Sequence, residues 1–269
     1  MIPFTKAHAC GNDFLIVAEE DAADHDRVNL AHRLCTRHTG VGADGIEFFR
    51  WTGPTSARIR LHNADGSIAE ISGNGTRCVA AWMAEALGCQ AGDELQIETD
   101  AGVRVCRIQA RSGHAVEVAA GMGVPVFEPK TLTVLDAFKV QGTVVSTGNP
   151  HFVIQAENPD FKLGHRSWGS VAGEICTHED FPHQTNVELF HLAGPHEIEI
   201  RIWERGVGPT SSSGTGSSAA ATAAIALGLA KSPLRVVAPG GAQTVAWDGP
   251  GAELELTGPA ALIARGEAW

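Results

Sequence analysis

The sequence has no tyrosine among its 269 residues, so a tyrosyl acid or base is excluded from any mechanism. It also has no run of about 18 apolar residues, the length that a membrane-spanning helix requires. The first residues, Met-Ile-Pro-Phe-Thr-Lys, lack the pattern of a secretory signal peptide. We therefore expect no membrane partner and a cytoplasmic location.

Metal-binding patterns are missing as well. The six cysteines form no C-x-x-C pair and show no zinc-type spacing. The twelve histidines include no H-x-x-x-H pair. We therefore predict no metal site, and we expect most of the cysteines to be small buried apolar residues.

Positive charge is in short supply, because the formal net charge at neutral pH is −11. An acidic chain of this kind is a poor partner for nucleic acid and for anionic membrane surfaces. The chain is 43% hydrophobic, which is enough to bury a sizeable core in one large domain or two of moderate size.

One uncharged stretch dominates the second half of the chain. No charged residue occurs from Gly206 to Ala230. The segment from about 215 to 229 is small and apolar on every face, which predicts a helix buried on all sides. The glycine-rich turn before it would direct unpaired backbone N–H groups at the positive end of the helix dipole. Such a helix start suits a phosphate or a carboxylate.

The same device occurs earlier, before a second predicted buried helix at about 75–87. Ser72-Gly73-x-Gly75 matches Ser213-Gly214-x-Gly216 at an offset of 141 residues. Upstream of each, Gly11-Asn12 resembles Gly148-Asn149. Two matched pairs in the same order indicate a duplicated unit. We therefore expect two similar lobes, each with one such helix start, and a ligand site in the cleft between them.

Many short strands surround these two helices in the predicted arrangement, which is typical of an α+β fold. Further helices are predicted over 28–38 and 168–176, and strands near 131–147 open the second lobe. The N-terminal lobe is expected to cover 1–118, with residues 258–269 returning to it. The C-terminal lobe is expected to cover 119–257.

Several motifs in this order resemble the diaminopimelate epimerase family over nearly the whole chain. The matching segments are Asn63-Ala-Asp-Gly-Ser67, Gly73-Asn-Gly-Thr-Arg77, Gly148-Asn-Pro-His151, Glu204-Arg-Gly-Val-Gly208 and Gly214-Thr-Gly216. The resemblance implies two pseudo-symmetric lobes, each a curved, mostly antiparallel sheet around a central helix. It also implies a homodimer that works without a cofactor. The implied reaction interconverts LL- and meso-2,6-diaminopimelate for lysine and peptidoglycan synthesis.

The resemblance also implies the site residues. The family uses two cysteines on opposite faces of the substrate α-carbon, one as base and one as acid, and their positions here are Ser72 and Ser213. His151 and Glu204 resemble the polar partners beside those two positions. The implied substrate-binding residues are Asn12, Asn63, Gly73, Asn74, Asn149, Asn186, Arg205, Gly214 and Thr215.

Serine at both catalytic positions departs from the family pattern, because a hydroxyl is a very weak base unless a neighbour activates it. The serines could be engineered or could mark a natural branch. Further hydroxyls at Ser211, Ser212 and Ser218 favour the natural branch. Taken singly, Ser72 and Ser213 also fit ordinary helix N-caps.

Three functions remain open from the sequence. The first is a diaminopimelate epimerase that is impaired by the loss of its thiols. The second is a related isomerase or dehydratase in which Glu204, Glu70 or His151 acts as acid or base. The third is an inactive homologue that binds an amino acid.

Overall fold

The computed structural model describes residues 1–134 and 138–269. Residues 135–137, within the region predicted to open the second lobe with strands, lie outside the described residues. The helices are α1 (Arg27–Cys35), α2 (Gly73–Leu87), α3 (Trp168–Cys176) and α4 (Gly214–Ala226). The strands of the first half are β1 (Ile2–Ala9), β2 (Asn12–Ala18), β3 (Gly45–Gly53), β4 (Ser56–Asn63), β5 (Ile68–Ala69), β6 (Glu94–Thr99), β7 (Gly102–Ser112) and β8 (Ala115–Gly123). Those of the second half are β9 (Val126–Val134), β10 (Phe138–Ser146), β11 (Pro150–Gln155), β12 (Asn186–Gly194), β13 (Glu197–Glu204), β14 (Gly208–Thr210), β15 (Leu234–Ala238), β16 (Gly241–Ala246) and β17 (Leu254–Ala268).

The chain forms two compact units. The first unit is Met1–Gly121 together with Thr257–Trp269, and the second is Met122–Leu256. The boundary predicted from the sequence lay between residues 118 and 119. The C-terminal strand belongs to the first unit because Ile2 of β1 lies opposite Ala268 of β17 in an antiparallel ladder.

The first unit has a fixed order of strand pairings. β1 and β2 are antiparallel, β2 and β3 are parallel across α1, and β3 and β4 are antiparallel. β4 then pairs antiparallel with β5 and parallel with β6, and β6 pairs antiparallel with β7. The helix α2 lies between β5 and β6 in the chain.

The second unit repeats this order. β10 and β11 are antiparallel, β11 and β12 are parallel across α3, and β12 and β13 are antiparallel. β13 pairs antiparallel with β14 and parallel with β15, and β15 pairs antiparallel with β16. The helix α4 takes the place of α2. The predicted α+β fold of two pseudo-symmetric, mostly antiparallel units is therefore confirmed.

The two central helices are largely buried: α4 carries small or apolar residues on every side, whereas α2 also buries the side chain of Arg77. α2 packs on β1, β2, β6 and β7, and α4 packs on β10 to β13, β15 and β16. Each starts one or two residues before the predicted first residue, directly after its serine cap. α4 ends at Ala226, earlier than predicted, because Gly228 turns the chain with a left-handed φ of 70°.

Three apolar clusters stabilise these units. One lies between α2 and the sheet of the first unit and includes Met83, and a second lies on the α1 side and includes Phe48. The third, around Phe152, holds α3 in the second unit. Each fully buried side chain of this size contributes about 1.5–3 kcal/mol. Among the described residues, no helix has the length and apolar character needed to cross a bilayer.

A close strand contact in β10 gives a stability prediction. A Cβ added to Gly142 would lie 2.6 Å from the carbonyl oxygen of Val153 and 2.5 Å from Phe152 Cζ. Because the carbonyl belongs to the neighbouring strand, we expect Gly142→Ala to lower the free energy of unfolding by about 1–3 kcal/mol. Gly194→Ala is the control, since its Cβ would meet nothing within 4 Å. Urea unfolding of both variants checks this, and equal midpoints would contradict it.

Candidate active site

The two serines of the repeated motif cap the central helices. Ser72 Oγ accepts a hydrogen bond from the Gly75 amide at 3.0 Å, and Ser213 Oγ accepts one from the Gly216 amide at 3.1 Å. The capping interpretation of both serines is therefore confirmed. Each cap places one hydroxyl at the positive end of a helix dipole, where an anion is also stabilised.

In the first unit, Asn12 and Asn74 lie side by side next to the start of α2. Asn74 Nδ2 donates to Asn12 Oδ1 at 3.1 Å, and Asn12 Nδ2 donates to Asp44 Oδ2 at 2.7 Å. Arg77, which is fully buried, donates from Nη2 to Asn74 Oδ1 at 2.6 Å. We call Ser72, Gly73, Asn74 and Asn12 the α2 cluster. Hydrogen bonds to Asp44 and from Arg77 therefore hold the side-chain amides of Asn12 and Asn74 in fixed orientations.

Asp44 belongs to an ionic network that fixes the loop after α1. Arg37 Nη2 bridges Asp13 Oδ1 at 2.7 Å and Asp44 Oδ1 at 2.9 Å, and Lys6 Nζ contacts Asp13 Oδ2 at 2.9 Å. Burial raises the pKa of Asp13, but hydrogen bonds from Arg37 and Lys6 outweigh burial and leave the pKa below its ordinary value. The network therefore holds charged oxygens in place behind Asn12.

Two other candidates of the first unit make separate contacts. Asn63 Nδ2 donates to Ser67 Oγ at 3.0 Å within the turn between β4 and β5. Glu70 is an exposed residue just after β5. The described hydrogen bonds do not join the Asn63 side chain to Asn12 or Asn74.

In the second unit, four candidate residues form one hydrogen-bonded chain. His151 Nε2 contacts Asn149 Oδ1 at 2.9 Å, and Asn149 Nδ2 donates to Thr215 Oγ1 at 3.2 Å. Thr215 Oγ1 lies 3.4 Å from Ser213 Oγ. We call Ser213, Gly214, Thr215 and Asn149 the α4 cluster. Asn149–Thr215 is the counterpart of Asn12–Asn74, so the duplication extends to side-chain contacts.

Asn186 and Arg205 are also brought together. Asn186 Oδ1 accepts a hydrogen bond from the Arg205 amide at 3.0 Å, and its Nδ2 donates to the Pro150 carbonyl at 3.1 Å. Glu204, the last residue of β13, and Arg205 are both half-buried. This hydrogen bond uses the backbone amide of Arg205 and not its guanidinium group.

Two buried carboxyl groups were not predicted from the sequence. Glu47 on β3 and Glu188 on β12 are both fully buried. A Cβ on Gly75 would collide with Glu47 Oε1, and a Cβ on Gly216 would lie 2.7 Å from Glu188 Oε1. The available signal was a single acid within an apolar strand, repeated at the same offset of 141 residues as the serines.

The native thiols are enclosed in the core. None of the six cysteines forms a disulfide, and all six are buried. Burial raises the pKa of Cys35 and of Cys106 to about 12, and it also raises the pKa of Cys78. Among the described residues, no group of three His, Cys, Asp or Glu side chains could hold a metal ion.

Solved structures share this two-unit fold. A hydroxyproline epimerase from Agrobacterium vitis matches with a TM-score of 0.71 at 17% identity, covering 99% of this chain and 91% of that one. A phenazine biosynthesis protein of the PhzF family from Bacillus anthracis matches with a TM-score of 0.74 at 15% identity, covering 100% and 99%. The chain therefore has the fold that these epimerase and PhzF-type proteins have in common.

Comparison with known sequences identifies the protein family within this fold. The diaminopimelate epimerase profile matches residues 4–128 and 143–263. The diaminopimelate epimerase of Desulforudis audaxviator is 37% identical over 280 residues, covering 98% of both chains. That of Prochlorococcus marinus is 34% identical over 290 residues, covering 99% of this chain and 92% of the relative. The chain belongs to the diaminopimelate epimerase family, as the resemblance predicted.

The buried Glu47 carboxyl gives a pH prediction. Burial raises its pKa from 4.5 to about 8. The folded chain then keeps a proton that the unfolded chain releases, so the free energy of unfolding falls as pH rises from about 4.5 to about 8. At about 1.4 kcal/mol per pKa unit, the decline amounts to a few kcal/mol. Glu47→Gln has no such proton to lose, and we expect a flatter stability curve.

Urea unfolding between about pH 5 and about pH 9 measures this decline. Glu94→Gln is the control, since Glu94 forms an exposed ion pair with Arg107. Its curve should run parallel to that of the unchanged chain. A Glu47→Gln curve that also runs parallel would contradict the prediction.

Proposed function

We propose that this protein is a cofactor-independent epimerase that interconverts LL- and meso-2,6-diaminopimelate, supplying lysine and peptidoglycan synthesis. The observation that carries the proposal is the pair of serine-capped helix starts, each with an amide side chain in contact with its first turn. Inversion at an α-carbon needs an acid–base group on each face, and the chain has one such hydroxyl in each unit. Family membership supports the choice of substrate.

The chemistry assigned to the helix starts is anion stabilisation. Removing an α-proton places negative charge on the substrate carboxylate as it becomes enolate-like. The first-turn residues Gly73, Asn74, Gly214 and Thr215 would bind that group at the positive ends of α2 and α4. Asn12 and Asn149 would hold the neighbouring polar groups in place. No metal or organic cofactor is needed for this step.

The far end of the substrate carries a second carboxylate and an amine. We assign their recognition to Asn149, Asn186 and Arg205, with Glu204 beside Arg205, while Asn63 lines the pocket of the first carboxylate with Asn12. A guanidinium can bind a carboxylate through two parallel charge-assisted hydrogen bonds, which combine strength with directional selectivity. The half-buried position of Arg205 supports this role.

Proton transfer is the step for which this chain lacks the cysteines of the family mechanism. Ser72 and Ser213 stand where the family mechanism uses thiolates, and a hydroxyl at neutral pH is a poor base. Glu204, Glu70 and His151 remain the alternative acid or base groups. The serines also favour a second candidate function, an amino-acid-binding homologue without turnover. We further propose that the protein is a cytoplasmic homodimer, which family membership supports.

Restoring the thiols tests the reaction. Positioned acid–base groups are typically worth about 10²–10⁴-fold each. We therefore expect the combined Ser72→Cys and Ser213→Cys variant to exchange the diaminopimelate α-proton several orders of magnitude faster than the unchanged chain. Either single substitution should help less, because inversion requires a group on each face. The assay is α-proton exchange in deuterated water, started separately from the LL- and meso-substrate.

Ser167→Cys is the matched control for this experiment. Ser167 caps α3 as Ser72 caps α2, with its Oγ accepting from the Ser170 amide at 3.3 Å. This substitution should leave exchange unchanged. If the unchanged chain turned over at about 1–10³ per second, the serines would not be disabled positions. Binding without exchange in the double-cysteine variant would favour the binding homologue.

The recognition proposal is tested at Arg205. If Arg205 pairs with the far carboxylate in a buried position, Arg205→Ala should weaken binding of meso-diaminopimelate by about 2–5 kcal/mol. Arg235→Ala is the control, because Arg235 forms an exposed ion pair with Glu197 at 2.6 Å. Isothermal titration calorimetry gives both affinities. Equal affinities for the two variants would remove the case for Arg205 as the carboxylate ligand.

A further inference from the structure

The duplication places Glu47 and Glu188 at equivalent positions in the two units. Glu47 lies on β3 between apolar residues of β2 and β4, and Glu188 lies on β12 between apolar residues of β11 and β13. The flanking residues are Ile16, Leu61, Val153 and Ile202. Each carboxyl group reaches the third residue of a serine-capped helix, Gly75 or Gly216. Neither acid has a place in the mechanism derived above.

The two carboxyl groups differ in their partners. Glu188 Oε1 lies 2.9 Å from His151 Nδ1, and both side chains are fully buried. The position equivalent to His151 in the first unit is Phe14, because Phe14 pairs with Gly45 as His151 pairs with Asn186. The imidazole is therefore specific to the second unit.

The hydrogen-bond directions fix the proton content of this pair. Asn149 donates from Nδ2 to Thr215, so its carbonyl oxygen is the atom that faces His151 Nε2. A carbonyl oxygen only accepts, and His151 Nε2 must therefore carry a hydrogen. His151 Nδ1 in turn faces a carboxyl oxygen of Glu188. Whichever atom holds the proton between them, the pair has one more proton than an ionised carboxylate beside a neutral imidazole.

The strands and the helix start that pack against Glu188 surround its carboxyl group with apolar residues. The elements packed against Glu188 are β11, β13 and the start of α4. They direct Val153, Ile202 and Gly216 at the carboxyl group. The proton is thus held in an apolar enclosure, where moving it out would leave a buried charge.

The chain of hydrogen bonds ends at Ser213. Thr215 Oγ1 accepts from Asn149 and lies 3.4 Å from Ser213 Oγ, and either hydroxyl can donate between the two. Once Ser213 has lost its proton, its oxygen only accepts, so the Thr215 hydroxyl is then the donor. Ser213 Oγ also accepts from the Gly216 amide. Two donors on one oxygen stabilise negative charge that develops there when Ser213 loses its proton.

We propose that Glu188 is a positioning residue that keeps a proton on its pair with His151 and thereby holds Asn149 as a donor to Thr215, whose hydroxyl then donates to Ser213 when Ser213 loses its proton. His151 and Asn149 transmit this orientation without contacting Ser213 themselves. The catalytic consequence rests on the proposed epimerase function. The proton content does not, so the two can be tested separately.

The first experiment reads the proton directly. Nitrogen NMR of the full chain labelled with ¹⁵N-histidine reports whether each ring nitrogen is protonated, and the His151 signals are those lost in His151→Gln. We expect protonated Nε2 at neutral pH. We also expect Glu188→Gln to shift the Nδ1 signal, while Glu47→Gln leaves it in place. An unprotonated Nε2, or an Nδ1 signal of a nitrogen that neither carries a proton nor accepts a hydrogen bond, would overturn the proposal. If His151→Gln fails to fold, backbone-linked assignment of the unchanged chain gives the same reading.

The second experiment measures the effect at Ser213. In the background of Ser72→Cys and Ser213→Cys, Thr215→Val and Glu188→Gln should each lower kcat for α-proton exchange by about ten- to a hundredfold. For Glu188→Gln, KM should change little, because Glu188 acts on the proton-transfer group and has no assigned contact with the substrate. A rise in KM alone, or an unchanged kcat, would overturn the positioning role. If the background variant shows no exchange at all, the proposed epimerase function fails, while the NMR result still decides the proton content.

Discussion

The close approach of a strand to a helix start is the constraint on which both clusters depend. In each unit the third residue after the capping serine is a glycine, and a Cβ there would run into the buried Glu47 or Glu188. Without that side chain, the helix can begin directly over the sheet. The capping hydroxyl, the first-turn amides and the neighbouring asparagine are then brought to one place by backbone packing, in one unit as in the other.

Much of this arrangement of the two helix starts could be predicted from the sequence, because it depends on local patterns. The offset of 141 residues between Ser72 and Ser213 revealed the duplication, and the apolar segments after them gave the central helices. The same offset relates Glu47 to Glu188, but their meaning depends on strand register. Only the pairings of β3 and β12 show that both acids point at a helix start. Asn63 was grouped with the site by motif alone, and its described contact is with Ser67 in the turn after β4.

The duplicated units have diverged where chemistry would differ. Asn12 contacts Asn74 as Asn149 contacts Thr215, but Phe14 stands where His151 stands. One unit therefore anchors its asparagine on an ionic network through Asp44, and the other anchors it on a buried imidazole. The repeated sequence motifs predicted the features that the two units share. They could not predict this difference, since Asp44 lies 32 residues from Asn12, and the Glu188 that fixes the imidazole lies 37 residues from His151.

The burial of every native thiol has a practical consequence. A cysteine reacts with alkylating reagents as its thiolate, and a thiol enclosed in an apolar core is both inaccessible and hard to ionise. The folded chain should therefore be nearly silent towards iodoacetamide or maleimide. A thiol introduced at position 72, where the serine is only partly buried, would stand out against this background as the reactive group. The scaffold thus allows the start of α2 to be labelled, titrated or spectroscopically probed on its own, without first removing any of the native cysteines.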